Sequence, residues 1–314
     1  MAAAEPKLIA LDWGTSSLRA YLMGPGGTVT DTRAAPRGIM RVEGGNFAAA
    51  LDEVAGEWQR RWPGLPAVAA GMIGSAQGWV EVPYRECPAG AEELAAALVP
   101  VPGAALRIIP GVAQYGAAPN MMRGEETQIA GALAQRPELR GRTRFVLPGT
   151  HSKWAEVTEG RIRRFTTFMT GELFGVLRQH SILGRFAKPD APPPAEDAAR
   201  DAFARGVAAL RDGSGNAAPL LFSARALVLA DQLPPELSVE YLSGLLIGEE
   251  LRCGLAEGRD GLALVGDAAL CERYARALAI FGVPEVAVLN DTAPAGLWQV
   301  AELAGLCGGT EMAR

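Results

Sequence analysis

The sequence has few aromatic residues and no excess of positive charge, and both shortages limit the classes of function that the protein can have. Aromatic residues make up 6% of the 314 residues, and 30 basic side chains face 35 acidic ones, for a formal net charge of −5. The absence of a basic block argues against binding nucleic acid through phosphate neutralisation, so any anionic ligand must be held by local groups. With 49% hydrophobic and 21% charged residues, the chain is expected to fold as a globular protein.

Metal-binding, export and membrane signals are also lacking. The cysteines show no C-x-x-C spacing, and the chain has two histidines. We therefore expect reduced thiols in a cytosolic compartment rather than a metal site. Met1–Glu5 has no secretory signal pattern, and the apolar run Pro219–Ala230 is interrupted by Arg225, far short of the roughly 20 residues of a spanning helix. A cytoplasmic protein with no membrane partner is expected.

A pattern of strand, Gly-Thr turn, strand, Gly turn and strand occurs twice. The predicted strands are Leu8–Leu11, Leu18–Met23 and Thr28–Arg33 in the first copy, and Phe145–Leu147, Trp154–Thr158 and Arg161–Phe168 in the second. Such a repeat predicts two related domains, because each copy opens one unit of structure. We place the boundary near residues 112–122, giving an N-terminal domain 1–115 and a C-terminal domain 116–314.

The remaining pattern predicts a mixed α/β fold. Further strands are predicted at Pro66–Met72, Leu106–Ile109, Leu262–Val265 and Val286–Leu289. Helices are predicted after the cap Asn46 to about Trp62, and at Ala91–Leu98, Glu172–Ile182, Ala195–Leu210, Pro219–Asp231, Val239–Glu257, Ala268–Phe281 and Ala293–Leu306. The proline-rich segment Lys188–Pro194 is predicted to be a surface loop.

The first repeated turn has the residues of a metal-assisted phosphate site. A strand ending in Asp12 delivers a carboxylate that can reach Mg²⁺, while the turn amides and hydroxyls around Gly14, Thr15 and Ser16 can face phosphoryl oxygens. An Asp-Gly hairpin turn also serves structure alone, and that alternative stays open at this point.

The second repeated turn favours an anion. It contains Gly149, Thr150, His151, Ser152 and Lys153, which together offer close backbone approach, two hydroxyls, an imidazole and an ammonium. Lysine is rare here, since only Lys7, Lys153 and Lys188 occur among the 30 basic residues, and we therefore expect Lys153 to bind phosphate or a substrate carboxylate. His151 could instead orient a neighbour or satisfy a buried carbonyl.

Two further segments have both a functional and a structural explanation. Glu125 and Glu126 precede the apolar stretch Ile129–Leu133, where acids complement a helix N-terminus. If the two repeats face each other across a cleft, one of these acids would instead be the base beside the transferred phosphoryl. Gly266 follows the predicted strand Leu262–Val265, where it permits a nucleotide to approach or simply forms a βα turn.

These motifs resemble those of the actin-like ATPase superfamily, which includes sugar kinases, acetate kinases and chaperone ATPases. The resemblance implies two ribonuclease-H-like domains with an interdomain cleft. Asp12-Trp-Gly-Thr15 resembles the first phosphate loop, Gly149-Thr-His-Ser152 the second, and Gly266-Asp267 the adenosine loop, although this loop lacks the usual run of glycines. Because Pro148 replaces the acid in the second copy, only Asp12 would serve the metal.

Within that superfamily, the sequence is more similar to the bacterial 2-dehydro-3-deoxygalactonokinases. The segments that carry the similarity are Asp12-Trp-Gly-Thr-Ser-Ser-Leu-Arg-Ala20, Gly71-Met-Ile-Gly-Ser75, Met122-Arg-Gly-Glu-Glu-Thr-Gln128, Leu147-Pro-Gly-Thr-His-Ser-Lys-Trp154 and Phe168-Met-Thr-Gly-Glu-Leu-Phe174. The resemblance implies ATP and Mg²⁺ as cofactors and transfer of the γ-phosphoryl group to the 6-hydroxyl of 2-dehydro-3-deoxy-D-galactonate, in cytoplasmic galactonate catabolism.

The acceptor implied by this resemblance is a small, negatively charged sugar acid. Lys153 and His151, with Arg19 and Arg123, are the candidates that recognise its charge, because a net acidic protein needs a local cation. The alternative function is a nucleotide-gated switch of the actin or chaperone type. Such proteins carry a partner-binding module, for which the chain leaves no room after its second domain, so we expect the kinase. The sequence assigns no oligomeric state.

Overall fold

The computed structural model describes residues 5–186, 193–213 and 216–308 and confirms the mixed α/β class. Its strands are β1 Leu8–Trp13, β2 Leu18–Met23, β3 Val29–Ala35, β4 Ala67–Ala70, β5 Arg85–Glu86, β6 Val99–Pro100, β7 Arg107–Ile108, β8 Val112–Gln114, β9 Asn120–Met122, β10 Arg142–Leu147, β11 Ser152–Thr158, β12 Arg161–Phe168, β13 Leu262–Val265 and β14 Ala287–Leu289. Both copies of the predicted strand repeat are present, as β1–β3 and β10–β12.

The α-helices agree with the predicted positions, with ends that differ by a few residues. They are α1 Phe47–Arg61, α2 Ala91–Ala95, α3 Glu125–Gln135, α4 Thr170–His180, α5 Glu196–Asp212, α6 Ser223–Leu229, α7 Ser238–Leu255, α8 Ala268–Ile280 and α9 Ala293–Leu303. Asn46 caps α1 as predicted, since its side chain accepts a hydrogen bond from the Ala49 amide. The predicted loop Lys188–Pro194 falls mainly outside the described residues.

The strands form three sheets. The order in the six-stranded sheet is β3-β2-β1-β4-β7-β6, in the five-stranded sheet β12-β11-β10-β13-β14, and in the small sheet β5-β8-β9. In each of the two larger sheets, the first strand of the repeat also pairs with a parallel strand from later in the chain: β1 pairs with β4, and β10 pairs with β13. The two sheets therefore share one plan, as the sequence repeat predicts.

Two compact units make up the chain. The first consists of the chain up to Thr143, Ala155–Thr166 and the chain from Asp291 onward, and the second of Arg144–Trp154 and Thr167–Asn290. Each unit has its own buried apolar core around its sheet. The domain boundary at residues 115 and 116 stays a prediction. Across the described residues, no helix has the length and apolar character needed to cross a membrane.

Close packing of α3 on α9 fixes the start of α3 in the first unit. The helices cross at Gly131 and Gly296, where a Cβ atom would lie 1.8 Å from the Thr292 carbonyl oxygen and 1.9 Å from the Thr127 carbonyl oxygen, respectively. Only glycine allows the two backbones to approach so closely. The C-terminal helix thus supports the helix that begins with Glu125 and Glu126.

Candidate active site

The first predicted turn lies at the carboxyl end of a buried strand. In β1 the apolar run Leu8–Leu11 is followed by Asp12, and the turn after the strand closes through a hydrogen bond of 3.0 Å from the Gly14 amide to the Ser17 carbonyl. Thr15 and Ser16 are exposed at the tip of this turn. Because β1 and β4 are parallel, their carboxyl ends meet at one edge of the sheet, where open α/β sheets bind ligands.

Two glycines bring neighbouring segments to this edge. Gly71 follows β4 with φ of +96°, and a Cβ atom there would lie 2.7 Å from the Trp13 carbonyl oxygen. Gly124 precedes α3 with φ of +111°, and its Cβ atom would lie 3.4 Å from the Gly71 Cα atom. Residues with side chains rarely adopt such angles. The segments after β1 and β4 and the start of α3 therefore converge within the first unit.

Asp12 and Glu125 lie close enough to repel each other. Burial raises the pKa of Asp12 above its ordinary value, the guanidinium of Arg19 lowers it, and the charge of Glu125 raises it again. Arg19 is the register partner of Asp12 on β2, and it also hydrogen-bonds the Tyr21 hydroxyl. The structure thus brings together two of the three predicted catalytic acids and one predicted cation.

The two adjacent glutamates have different surroundings. Glu125 is half-buried, and its Oε2 atom accepts a hydrogen bond of 3.0 Å from the Arg123 amide. Glu126 is fully buried, and it accepts hydrogen bonds from the Gly124 amide at 2.7 Å and the Thr127 hydroxyl at 3.0 Å. Both glutamates thus accept a hydrogen bond from an amide near the helix start, but Glu126 is enclosed, whereas Glu125 is partly exposed and its charge acts on Asp12. The geometry therefore favours Glu125 for a role beside Asp12.

Replacing Glu126 with Gln is expected to weaken the pH dependence of stability. Burial, reinforced by the Glu125 charge, raises the pKa of Glu126 from 4.5 to about 8. Between these pH values the folded state keeps a proton that the unfolded chain releases, so the free energy of unfolding falls as pH rises. In the middle of this pH range, the free energy of unfolding of the wild type should fall about 1.4 kcal/mol per pH unit more steeply than that of the variant. Urea unfolding of both proteins at pH 5 to 8 tests this prediction. Equal slopes of the free energy of unfolding against pH would contradict it.

Arg123 is a buried cation with incomplete hydrogen bonding. Its side chain is 8% exposed, its Nη2 atom donates to the Val82 carbonyl at 2.8 Å, and its guanidinium lies 4.2 Å from the centre of the Tyr84 ring. The Nε and Nη1 atoms have no hydrogen-bond partner, and neither does the buried hydroxyl of Ser75 in the segment after β4. Buried donors of a charged group normally have acceptors, so this position suits an anionic ligand.

In the second unit, the start of α4 packs on the second predicted turn. The Glu172 amide donates to the Thr150 carbonyl at 3.0 Å, and the His151 ring hydrogen-bonds the Glu172 carboxylate. A Cβ atom on Gly171 would lie 2.5 Å from the Gly149 carbonyl oxygen, so α4 approaches the turn closely. Here His151 orients a neighbouring side chain, which is one of the alternatives that the sequence left open.

Ser152 and Lys153 are buried at the start of β11. The Ser152 hydroxyl is inaccessible and donates to Glu250 at 2.6 Å, so any phosphate contact of this residue must come from its backbone. The Lys153 side chain is 3% exposed, and its Nζ atom donates to the His151 carbonyl at 3.0 Å. Lys153 therefore supports the turn from within, rather than extending from a solvated loop.

A large cavity opens beside this turn. It has a volume of about 1240 Å³, and its lining includes Gly149, Thr150, Gly171, Asp267 and Tyr274. Gly266 adopts φ of +147°, and the Asp267 side chain caps α8 by accepting a hydrogen bond of 3.0 Å from the Leu270 amide. A helix N-terminus and a glycine turn at one cavity are suited to a phosphorylated ligand. The second turn and the Gly266 turn are thus brought to the same place.

Sequence analysis missed Glu250, Thr170 and Tyr274 in this unit. The three side chains share hydrogen bonds below the cavity. The available signal was the acid at position 250 within the apolar stretch of α7, because a buried carboxylate in such a stretch needs partners. Its partners come from distant parts of the chain, and the sequence pattern does not show them.

A magnesium ion fits the first unit with few protein ligands. Within 5–186, 193–213 and 216–308, no group of three or more His, Cys, Asp or Glu side chains is arranged to hold a metal. Mg²⁺ in kinase sites is usually bound by one or two carboxylates together with substrate phosphates. The half-buried Asp12, with Glu125 as its neighbour, matches such a donor set.

Comparison with solved structures shows which known proteins share this fold. The activator of the 2-hydroxyisocaproyl-CoA dehydratase from Clostridium difficile, with bound ADPNP, matches at a TM-score of 0.50 and 10% identity, over 95% of this chain and 96% of that one. The crystal structure of a putative 2-dehydro-3-deoxygalactonokinase protein from Sinorhizobium meliloti matches at a TM-score of 0.86 and 36% identity, over 94% and 98% of the two chains. The fold is that of the actin-like ATPases and sugar kinases.

Sequence comparison identifies the family. The family model for 2-keto-3-deoxy-galactonokinase matches residues 12–300. A 2-dehydro-3-deoxygalactonokinase of Escherichia coli K12 is 39% identical over 305 residues, covering 94% of this chain and 97% of that protein, and a probable one of Rhizobium meliloti is 38% identical over 289 residues, covering 90% and 92%. The chain belongs to the 2-keto-3-deoxy-galactonokinase family. Membership favours a kinase over a nucleotide-gated switch.

Proposed function

We propose that this protein transfers the γ-phosphoryl group of ATP to the 6-hydroxyl of 2-dehydro-3-deoxy-D-galactonate in the cytoplasm, giving the 6-phosphate and ADP. The observation that carries the proposal is the pairing of Asp12 with Glu125 at the end of β1, in a chain of this kinase family. Phosphoryl transfer requires a carboxylate for the metal and another for the attacking hydroxyl, and this pair supplies both.

In the proposed reaction, the 6-oxygen of the acceptor forms a bond to the γ-phosphorus while the bond from that phosphorus to the bridging oxygen of ADP breaks. The carboxylate of Glu125 accepts the proton of the 6-hydroxyl and orients it. Asp12 would hold Mg²⁺, which would neutralise phosphate charge when bound. Backbone amides of Thr15 and Ser16 would face the phosphoryl oxygens, while the Gly14 amide holds the turn closed by donating to the Ser17 carbonyl.

The cavity of the second unit is the proposed nucleotide site. Gly149 and Thr150 would contact the phosphates, and the turn at Gly266 would lie against the adenosine. Its volume of about 1240 Å³ exceeds the roughly 300–1,000 Å³ that is usual for ligand pockets, so the cavity has room for a molecule as large as a nucleotide.

For the carboxylate of the sugar acid, we favour Arg123. It is two residues from Glu125 in the first unit, and two of its buried nitrogen atoms have no acceptor. The other candidates have partners in the structure: Arg19 bonds Tyr21, His151 pairs with Glu172, and Lys153 donates to the second turn. A guanidinium can bind a carboxylate through two parallel hydrogen bonds, which supplies geometric selectivity.

A coupled ADP-release screen tests the proposed function. Purified protein would receive ATP, Mg²⁺ and the 2-keto-3-deoxy forms of galactonate, gluconate or arabinonate, with acceptor-free ATP turnover as the control. We expect ADP release that depends on the acceptor and is highest with the galactonate form. ATP hydrolysis that no sugar acid changes would contradict the kinase and support the nucleotide-gated switch.

Lys153 gives a prediction for the second turn. Lys153→Ala is expected to raise the KM for ATP and lower kcat about tenfold, because a charge-assisted hydrogen bond that supports the turn is lost. Lys153→Arg should also be impaired, since a buried ammonium site does not accommodate a larger planar group. Steady-state kinetics with Lys7→Ala as the control checks this. A change confined to the KM of the sugar acid would instead assign Lys153 to the substrate carboxylate.

A further inference from the structure

A buried carboxylate lies beneath the cavity of the second unit. Glu250 in α7 is 1% exposed and accepts four side-chain hydrogen bonds. Its Oε1 atom accepts from the Ser152 hydroxyl at 2.6 Å and the Trp154 indole at 2.9 Å, while its Oε2 atom accepts from the Tyr274 hydroxyl at 2.7 Å and from the Thr170 hydroxyl. Every donor is a side chain, so the cluster joins four elements rather than one backbone segment.

The partners of Glu250 are the residues that shape the cavity. Thr170 begins α4 and Tyr274 belongs to α8, and both line the cavity wall. Ser152 comes two residues after Thr150, which lines the same cavity. One carboxylate therefore connects the second turn with the start of α4 and the middle of α8, two helices that line the proposed nucleotide site.

Stability alone gives a weak reason for such a group. Burying a carboxylate is costly, and apolar residues of similar volume often stabilise a core as well or better. What four directed hydrogen bonds add is a fixed geometry, because a fully satisfied polar network specifies one arrangement of its members. Loops that contact phosphate through backbone amides depend on such a fixed arrangement.

We propose that Glu250 is a positioning residue for the nucleotide. It holds the turn Gly149–Ser152 and the start of α4 in the conformation that binds the polyphosphate of ATP, through the hydroxyls of Ser152 and Thr170. The proposal rests on the proposed function insofar as the cavity binds a nucleotide, and it concerns nucleotide affinity rather than acceptor chemistry.

Binding of the non-hydrolysable analogue AMP-PNP, measured by calorimetry, tests the proposal without any phosphoryl transfer. Ser152→Ala and Trp154→Phe form a matched pair, because each removes one hydrogen bond to Oε1 of Glu250. We expect Ser152→Ala and Glu250→Gln to raise the Kd about tenfold. Trp154→Phe should change the Kd by less than about twofold, although it truncates a larger buried side chain and should lower the melting temperature more.

A double-mutant cycle separates an action through Glu250 from a direct contact. If Ser152 acts through Glu250, adding Ser152→Ala to Glu250→Gln changes the Kd by less than about twofold. Additive losses would overturn the proposal, because Ser152 would then affect nucleotide binding by a route that does not pass through Glu250. Equal Kd values in wild type, Ser152→Ala and Glu250→Gln would also overturn it, while the proposed function would stand. No binding of AMP-PNP by the wild type would contradict the proposed function itself.

Discussion

Asp12→Asn is expected to lower kcat by at least about 100-fold, or ~3 kcal/mol of transition-state stabilisation, and to leave the fold intact. Asp12 is the only acid in either repeated turn, and it lies near the carboxyl end of the buried strand β1, beside Glu125. Asn keeps the shape of the side chain but loses the charge that holds Mg²⁺. The measurement is kcat over a Mg²⁺ titration, at saturating ATP and sugar acid.

The same substitution should not cost stability, which separates a catalytic effect from unfolding. Burial and the Glu125 charge both raise the pKa of Asp12, so the ionised carboxylate is disfavoured where it stands. A neutral Asn removes this penalty, and the melting temperature should stay the same or rise. Asp52→Asn, at an exposed position in α1, is the control and should keep wild-type kcat. Near-normal turnover of Asp12→Asn would show that the metal is held elsewhere.

The strand repeat could be predicted from sequence because its signals are local. β2 and β12 have the predicted bounds, since alternating or continuous apolar residues end at glycine turns in both copies. The short strands β5, β6, β8 and β9 were missed, because two- and three-residue strands depend on pairing with other segments rather than on a local pattern. The helix predicted at Pro219–Asp231 is shorter in the structure, beginning only at Ser223.

Some residues of the candidate site could likewise be predicted from the sequence, whereas others could not. Asp12 and the glycines of the two turns could be found from sequence, because a turn after a buried strand is a local feature. The burial of Ser152 and Lys153 could not be predicted, because adjacent side chains in a strand point to opposite faces, and only the fold shows that both faces of β11 are covered here. The unpartnered nitrogens of Arg123 depend on the distant Val82 and Tyr84.

Glu125→Gln and Glu126→Gln are expected to separate the two roles that the sequence left open. A base or orienting carboxylate in phosphoryl transfer contributes about 10²–10⁴-fold, so Glu125→Gln should lower kcat by that factor with little change in the KM for ATP. Glu126 contacts the start of its own helix, and a Gln oxygen can still accept from the Gly124 amide. Its variant should therefore keep kcat within about threefold and differ from wild type in stability alone.

Steady-state kinetics and melting temperatures of both variants, measured at one pH, decide which glutamate has the catalytic role. Each variant serves as the isosteric control for the other. The pair is informative because the two acids are adjacent in sequence, carry the same charge and begin the same helix, yet only Glu125 influences the pKa of Asp12. Normal turnover in Glu125→Gln together with a large loss in Glu126→Gln would transfer the catalytic role to the buried acid. Normal turnover in both variants would mean that the acceptor hydroxyl is oriented without either glutamate, leaving the helix N-terminus as their only function.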